Sequence, residues 1–119
     1  MNPISAEALA AARAQLDAAE EKRENILLAH IANGVKIEDR TVRIDESVTI
    51  APGAAILAGT ILRGNTVIGP GCVIGPNSLI EDSIIDEGTT VNASQVYGSH
   101  LGPHNNIGPF THVRVNTVT

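Results

Sequence analysis

The chain has 119 residues, enough for one domain, and its hydrophobic share of 43% includes only 2% aromatic residues, so its interior must be filled by Ile, Val, Leu, Ala and Thr. A formal net charge of -5 with no Lys/Arg cluster excludes a general nucleic-acid or anionic-membrane surface. A lone Cys72 forms no internal disulfide, and no apolar run has the length of a signal core or a membrane span, which points to a cytoplasmic protein.

From Ser5 to about Ala32 the chain is built of Ala, Glu, Leu, Arg and Gln without Gly or Pro, which predicts one long helix. Either Asn2, with Pro3 in the first turn, or Ser5 supplies the N-cap, and Asn33-Gly34 offers a left-handed stop. Leu9, Leu16, Ile26, Leu27 and Ile31 make an uneven apolar stripe that strengthens toward the end, so the last turns are expected to dock. Residues 1–34 thus read as a helical arm that caps one end of a β-domain; an oligomerisation arm or linker is the other reading. Glu20, Glu21 and Glu24 beside Lys22 and Arg23 read as a solvated face, and His30 as a complement to the C-terminal dipole.

After Val35 and Ile37 a repeat sets in. Ile44, Ile50, Ile56, Leu62, Ile68, Ile74 and Ile80 stand six apart, each of the first six followed four places on by Val48, Ala54, Thr60, Thr66, Cys72 or Ser78. Past Ile80 the array continues with trimmed corners through Ile85, Val91, Val96, Leu101, Ile107 and Val113. Grouping by threes gives three faces: Ile44, Leu62, Ile80, Val96, Val113; Ile50, Ile68, Ile85, Leu101; and Ile56, Ile74, Val91, Ile107. Pro52, Pro70, Pro76, Pro103 and Pro109 all fall two places after a face residue, at what reads as one shared corner site. A residue that cannot donate to a ladder marks the bend there. Residues 35–119 are therefore expected to form a parallel β-helix of about four coils, mainly β, in which each repeat buries its face only against its neighbours.

Period-two alternation puts the face residue and the small residue two before it inward and the residue between them outward. Ile61, Leu79, Val67, Ile84 and Val73 fall on this outward list beside Arg43, Thr49, Thr90 and Gln95. Apolar side chains projecting on neighbouring rungs predict self-association. The last coil, unfinished at Val118-Thr119, is expected to make end-to-end contact or to trail as a loose tail.

Candidate chemistry is sparse. His100, His104 and His112 could form a zinc site only with a second subunit, since their phases place two on different faces and one at a corner; solvated histidines are the preferred reading, with no metal assigned. Cys72 takes a small inward position and reads as a buried, inert thiol. Asp45, Glu81 and Asp86, each one place after a face residue, read as corner caps.

The segments Asn33-Gly34-Val35, Leu62-Arg63-Gly64-Asn65-Thr66-Val67-Ile68-Gly69, Cys72-Val73-Ile74-Gly75-Pro76-Asn77-Ser78 and Ile107-Gly108-Pro109-Phe110-Thr111-His112-Val113-Arg114 carry a resemblance. From about Ile26 to Thr117 the chain resembles the junction and first coils of the acetyltransferase domain of the bacterial bifunctional N-acetylglucosamine-1-phosphate uridyltransferase/glucosamine-1-phosphate acetyltransferase family. The resemblance implies a left-handed parallel β-helix, a homotrimer, and a place in UDP-N-acetylglucosamine biosynthesis. It also implies that the nucleotidyltransferase loop, the acetyltransferase's catalytic residues and most of the acetyl-CoA site are missing, so that no catalytic residue and no cofactor are assigned and enzyme status stays open. One residue carries over as substrate-binding: Arg114, matching an Arg that contacts the sugar phosphate, although the family's Leu-Arg-Pro-Gly reads Val113-Arg114-Val115-Asn116 here. The expected function is a catalytically incomplete trimeric module of this kind. The rival is a minimal acyltransferase, using acetyl-CoA, or a sugar-phosphate binder whose site is completed between subunits.

Overall fold

A computed structural model describes residues 3–119. It shows a left-handed parallel β-helix preceded by one long α-helix, with overall extents of 53 × 33 × 21 Å. The helix α1 runs Ala6–Ala32; Ser5 caps it, its hydroxyl accepting the Ala8 N–H at 3.1 Å, while the alternative cap Asn2 lies outside the described residues. At the other end Gly34 takes a φ of +92, the Val35 N–H reaches the His30 carbonyl and the Gly34 N–H reaches that of Ile31, both at 3.0 Å. This pair of bonds closes the last turn and aims the chain into the first coil.

The three faces predicted from the repeat are three parallel sheets. Sheet A stacks Lys36–Ile37, Ala55–Ile56, Val73–Ile74, Thr90–Val91 and Asn106–Ile107; sheet B stacks Arg43–Ile44, Ile61–Arg63, Leu79–Glu81, Gln95–Tyr97 and His112–Val113. Sheet C stacks Thr49–Ile50, Val67–Ile68, Ile84–Ile85 and His100–Leu101. Register keeps like on like, Ile56 beside Ile74, Leu62 beside Ile80, Ile68 beside Ile85. Each rung therefore buries its aliphatic residue on the one below, and Ile56, Leu62, Ile74, Ile80, Val91, Val96 and Leu101 have no exposed surface.

The edges are where the sequence reading needs correction. The five prolines do not share one corner: Pro52, Pro70 and Pro103 follow sheet C, Pro76 and Pro109 follow sheet A, and none follows sheet B. Sheet B turns into sheet C through the tightest corners, where Asp82 (φ 48) and Gly98 (φ 49) take left-handed backbone and the next residue is Ser83 or Ser99. The third trimmed corner, Asn92-Ala93-Ser94 between sheets A and B, repeats this with Ala93 at φ 45. In all three the serine hydroxyl donates to the carbonyl two residues back, at 2.8, 2.8 and 2.7 Å. A five-residue spacing is thus a corner with one residue fewer, closed by a serine that satisfies the carbonyl the missing residue would have exposed.

Helix α1 packs against the first strands of sheets A and B. Leu27 is buried, Ile26 is half-buried, and Leu9, Leu16, Leu28 and Ile31 are exposed, so the last turns dock as expected. The charged run beside them is a solvated face as expected, with the exception of Arg23, whose side chain is mostly buried. Lys22 pairs with Glu46 at 3.1 Å, Glu24 accepts from Arg40 at 2.9 Å, and Arg23 donates to the Val42 carbonyl at 3.1 Å while also holding Glu20. The two pairs to Glu46 and Arg40 are exposed and add little, so it is Arg23 that ties the helix to the first rung. His30 also differs from expectation: partial burial lowers its pKa, favouring the neutral ring over a cation at the dipole. At the far end Val118 bridges to His100 and the Thr119 hydroxyl accepts from Gly102 at 2.9 Å, so these residues lie along the coil and do not trail.

Candidate functional site

Sheet B presents its outward side chains in two columns. One runs Arg43, Ile61, Leu79, Gln95, His112; the other runs Asp45, Arg63, Glu81, Tyr97, Arg114. Near the helix this side borders a groove that Leu16, Glu20, Arg23 and Ile26 line together with Ile61 and Arg63, and Arg63 pairs with Glu81 at 2.9 Å. Ile61 and Leu79 are only half-exposed, whereas Val67 and Ile84 on sheet C are 42% and 43% exposed.

At the distal end the columns change character. Gln95 lies beside His112 and Val96 beside Val113, so Tyr97 and Arg114 follow as outward neighbours. The rings of Tyr97 and His112 meet edge to face, 5.3 Å apart at 74°. Phe110 stands where sheet A turns into sheet B, 89% exposed, and with Ala93, Gln95, Thr111 and His112 it lines a shallow groove. The main chain of Arg114 is pinned, its carbonyl accepting from Thr117 Oγ1 at 2.7 Å. The following corner is made without Pro or Gly because Asn116 accepts the left-handed conformation, φ 68. The Arg114 guanidinium is exposed and, among the described residues, pairs with no carboxylate. Arg114 thus shares the distal end of sheet B with three residues that the sequence reading did not single out together, Tyr97 and His112 on the sheet and Phe110 at the corner that enters it. Composition carried the signal, since the chain has one Tyr and one Phe, and they fall on consecutive rungs.

The other candidates scatter. His100 lies on sheet C with its Nε2 2.8 Å from Asp86 Oδ2, His104 sits in the corner after sheet C at φ 57, and His112 is on sheet B. Among the described residues no three metal-ligating side chains come together. Cys72 is fully buried, its Sγ 3.0 Å from the Asp86 carbonyl, and burial raises its thiol pKa. Asp45 accepts the Gly64 N–H at 3.0 Å and Glu81 holds Arg63, so these carboxylates serve corners and rungs.

Residues 44–119, well over half of the chain, match the GMPPB C-terminal domain family, GMPPB being GDP-mannose pyrophosphorylase B. The chain belongs to the GMPPB C-terminal domain family. No individual curated protein matches it. The match starts at Ile44, so α1 and the first strand of sheet A lie outside the part the GMPPB C-terminal domain describes. It overturns the resemblance to the bifunctional uridyltransferase/acetyltransferase family and, with it, the reading as a truncated glucosamine-1-phosphate acetyltransferase domain. The physical reason lies in the shared wording. Segments such as Ile74-Gly75-Pro76-Asn77-Ser78 supply an inward aliphatic residue, a bend, a left-handed residue (Asn77, φ 51) and a small inward one. Any three-sided coil needs these, so they report the coil and carry no information about a substrate. The GMPPB C-terminal domain still places the chain in a family associated with nucleotide-sugar biosynthesis. No helix among the described residues is long and apolar enough to cross a membrane.

Proposed function

We propose that this chain is a cytoplasmic β-solenoid module of nucleotide-sugar biosynthesis that assembles as a homotrimer. Residues 1–34 serve as a helical arm, residues 35–119 as the assembling solenoid, and Arg114 contacts a sugar phosphate at a place completed between subunits. The observation that carries the assembly is the outward aliphatic pair Val67 and Ile84, 42% and 43% exposed on adjacent rungs of one flat sheet. Flat apolar strips of this kind are normally covered. A cyclic axis parallel to the solenoid brings the same rung of every copy to the same contact, which matches identical side chains without staggering the coils. Arg114 lies where sheet B turns toward sheet C, which supports a place for it at the rim of a contact made through sheet C. Its free guanidinium suits a phosphate through paired hydrogen bonds.

Multi-angle light scattering on the purified chain tests the assembly. The expected mass is three times the 12.4 kDa of one chain; a single-chain mass at high micromolar concentration rejects the proposal.

A further inference from the structure

Charge is distributed unevenly along this protein. Past Glu87 there is no carboxylate side chain, yet this stretch holds His100, His104, His112, Arg114 and both aromatic residues. In a chain of net charge -5, the solenoid end remote from α1 is therefore the part whose side chains do not repel an anion. On sheet B, Arg63 has Glu81 beside it on an adjacent rung as a partner, whereas the adjacent rung beside Arg114 offers Tyr97. Phe110 adds a second anomaly. The corresponding corner positions on the rungs below are Gly59, Asn77 and Ala93, all at positive φ, and Phe110 keeps that left-handed backbone at φ 61 while exposing 89% of its surface. Neither backbone preference nor core packing accounts for an aromatic residue there, and such outliers cluster at binding sites.

We infer that the distal end of sheet B is a binding site for a phosphorylated ring compound, a sugar phosphate or a nucleotide. Arg114 holds the phosphate as a fork of donors, with His112 beside it. Phe110 and the Tyr97 ring offer apolar faces against which a sugar or base lies, and the Gln95 amide, on the same groove, is placed for a hydroxyl or a ring nitrogen. This rests on the sugar-phosphate reading of Arg114 and adds the half of the site that recognises the ring.

Tyr97 and Phe110 are the chain's only Tyr and Phe and there is no Trp, so aromatic carbon–proton NMR signals other than those of histidine come from the distal end of sheet B alone. The chain is titrated with a hexose 1-phosphate, a nucleoside diphosphate and inorganic phosphate. Saturable shifts of the Tyr97 and Phe110 signals are expected with at least one ring compound, bound about tenfold more tightly than inorganic phosphate; whichever ring compound binds better identifies the source. Arg114→Gln is expected to weaken every phosphorylated probe by about tenfold or more, and Phe110→Ala, which removes a side chain with almost no packing, to weaken the ring compounds only. Arg43→Gln, at the opposite end of the same column, leaves all three unchanged. No saturation at millimolar ligand, or equal affinity for inorganic phosphate and both ring compounds, overturns the inference. If Arg114→Gln weakens binding and Phe110→Ala does not, the inference falls and the Arg114 reading stands; if Arg114→Gln is silent, both fall.

Discussion

At the scale of single residues, the small inward positions are hydrogen-bonding devices as much as spacers. Between sheets B and C the column Thr66, Ser83, Ser99, Thr117 forms a ladder in which each hydroxyl accepts the N–H of the next rung, at 3.4, 3.0 and 3.2 Å. Between sheets A and B, Ser78 and Ser94 do the same for Ser94 and Thr111, at 3.2 and 3.0 Å. These donors point into the coil where no water reaches, so an unpaired one costs its full desolvation. Ser83→Ala should therefore destabilise by about 1–3 kcal/mol, since it strands the buried Ser99 N–H, while the Glu81 carbonyl keeps the Gly98 N–H. Thr60 behaves oppositely. It is fully buried and, among the described residues, its hydroxyl has no partner, while Val42 occupies the same column one rung earlier without a hydroxyl. Thr60→Val should raise stability by about 1 kcal/mol by removing an unsatisfied group at nearly constant volume. Urea unfolding midpoints for the two variants check this pair, and equal effects of the same sign would refute the ladder. The sequence period located these positions correctly as small and inward. It could not reveal the bonds, because the partner lies a whole coil away.

At the scale of elements, α1 is held by few contacts with distinct characters. Leu27 is its one buried apolar side chain, so Leu27→Ala is expected to cost about 2–3 kcal/mol and to lower helical circular dichroism before the solenoid unfolds. Coincident loss of helix and sheet signals would argue that the arm is integral to the fold. His30 adds a pH dependence. Its folded pKa lies below the ordinary 6.5 because the ring is partly buried, so the unfolded chain takes up a proton more readily. The contribution is present above pH 6.5 and is lost as the pH falls through the folded value. Unfolding midpoints should fall on acidification across this range, and His30→Gln should flatten that part of the curve; an unchanged slope would place the titration elsewhere. The apolar stripe announced docking by the last turns through Ile26 and Leu27. The tie formed by Arg23 was illegible in the sequence, because the Val42 carbonyl becomes its neighbour only once the first coil turns back beneath the helix.

At the scale of the molecule, a six-residue period of aliphatic positions determined three sheets, their order and their register, because stacking like on like is how such short strands bury their side chains. The same regularity misled the assignment of family, since corner wording is imposed by the coil, and it concealed the distal groove, which depends on two aromatic residues outside the repeat's grammar. Assembly is where the regular surface has a consequence for the whole. Sheet B is partly covered by α1 and by the Arg63–Glu81 pair, sheet A shows Val73 at 37% exposure between Ala55 and Thr90, and sheet C alone has two strongly exposed aliphatic residues on neighbouring rungs. Copies should therefore meet through sheet C. Ile84→Lys places a strongly hydrated charge in that contact while leaving the inward Ile85 and the ladder intact, so the fold should persist with a stability change within about 0.5 kcal/mol and the assembly should fall to single chains. Ile61→Lys, the equivalent change on sheet B, should leave the mass of the assembly unaltered. Light scattering and far-ultraviolet circular dichroism on the two variants separate the faces: if Ile61→Lys dissociates the complex and Ile84→Lys does not, the contact runs through sheet B, and the distal groove with Arg114 would then lie inside it.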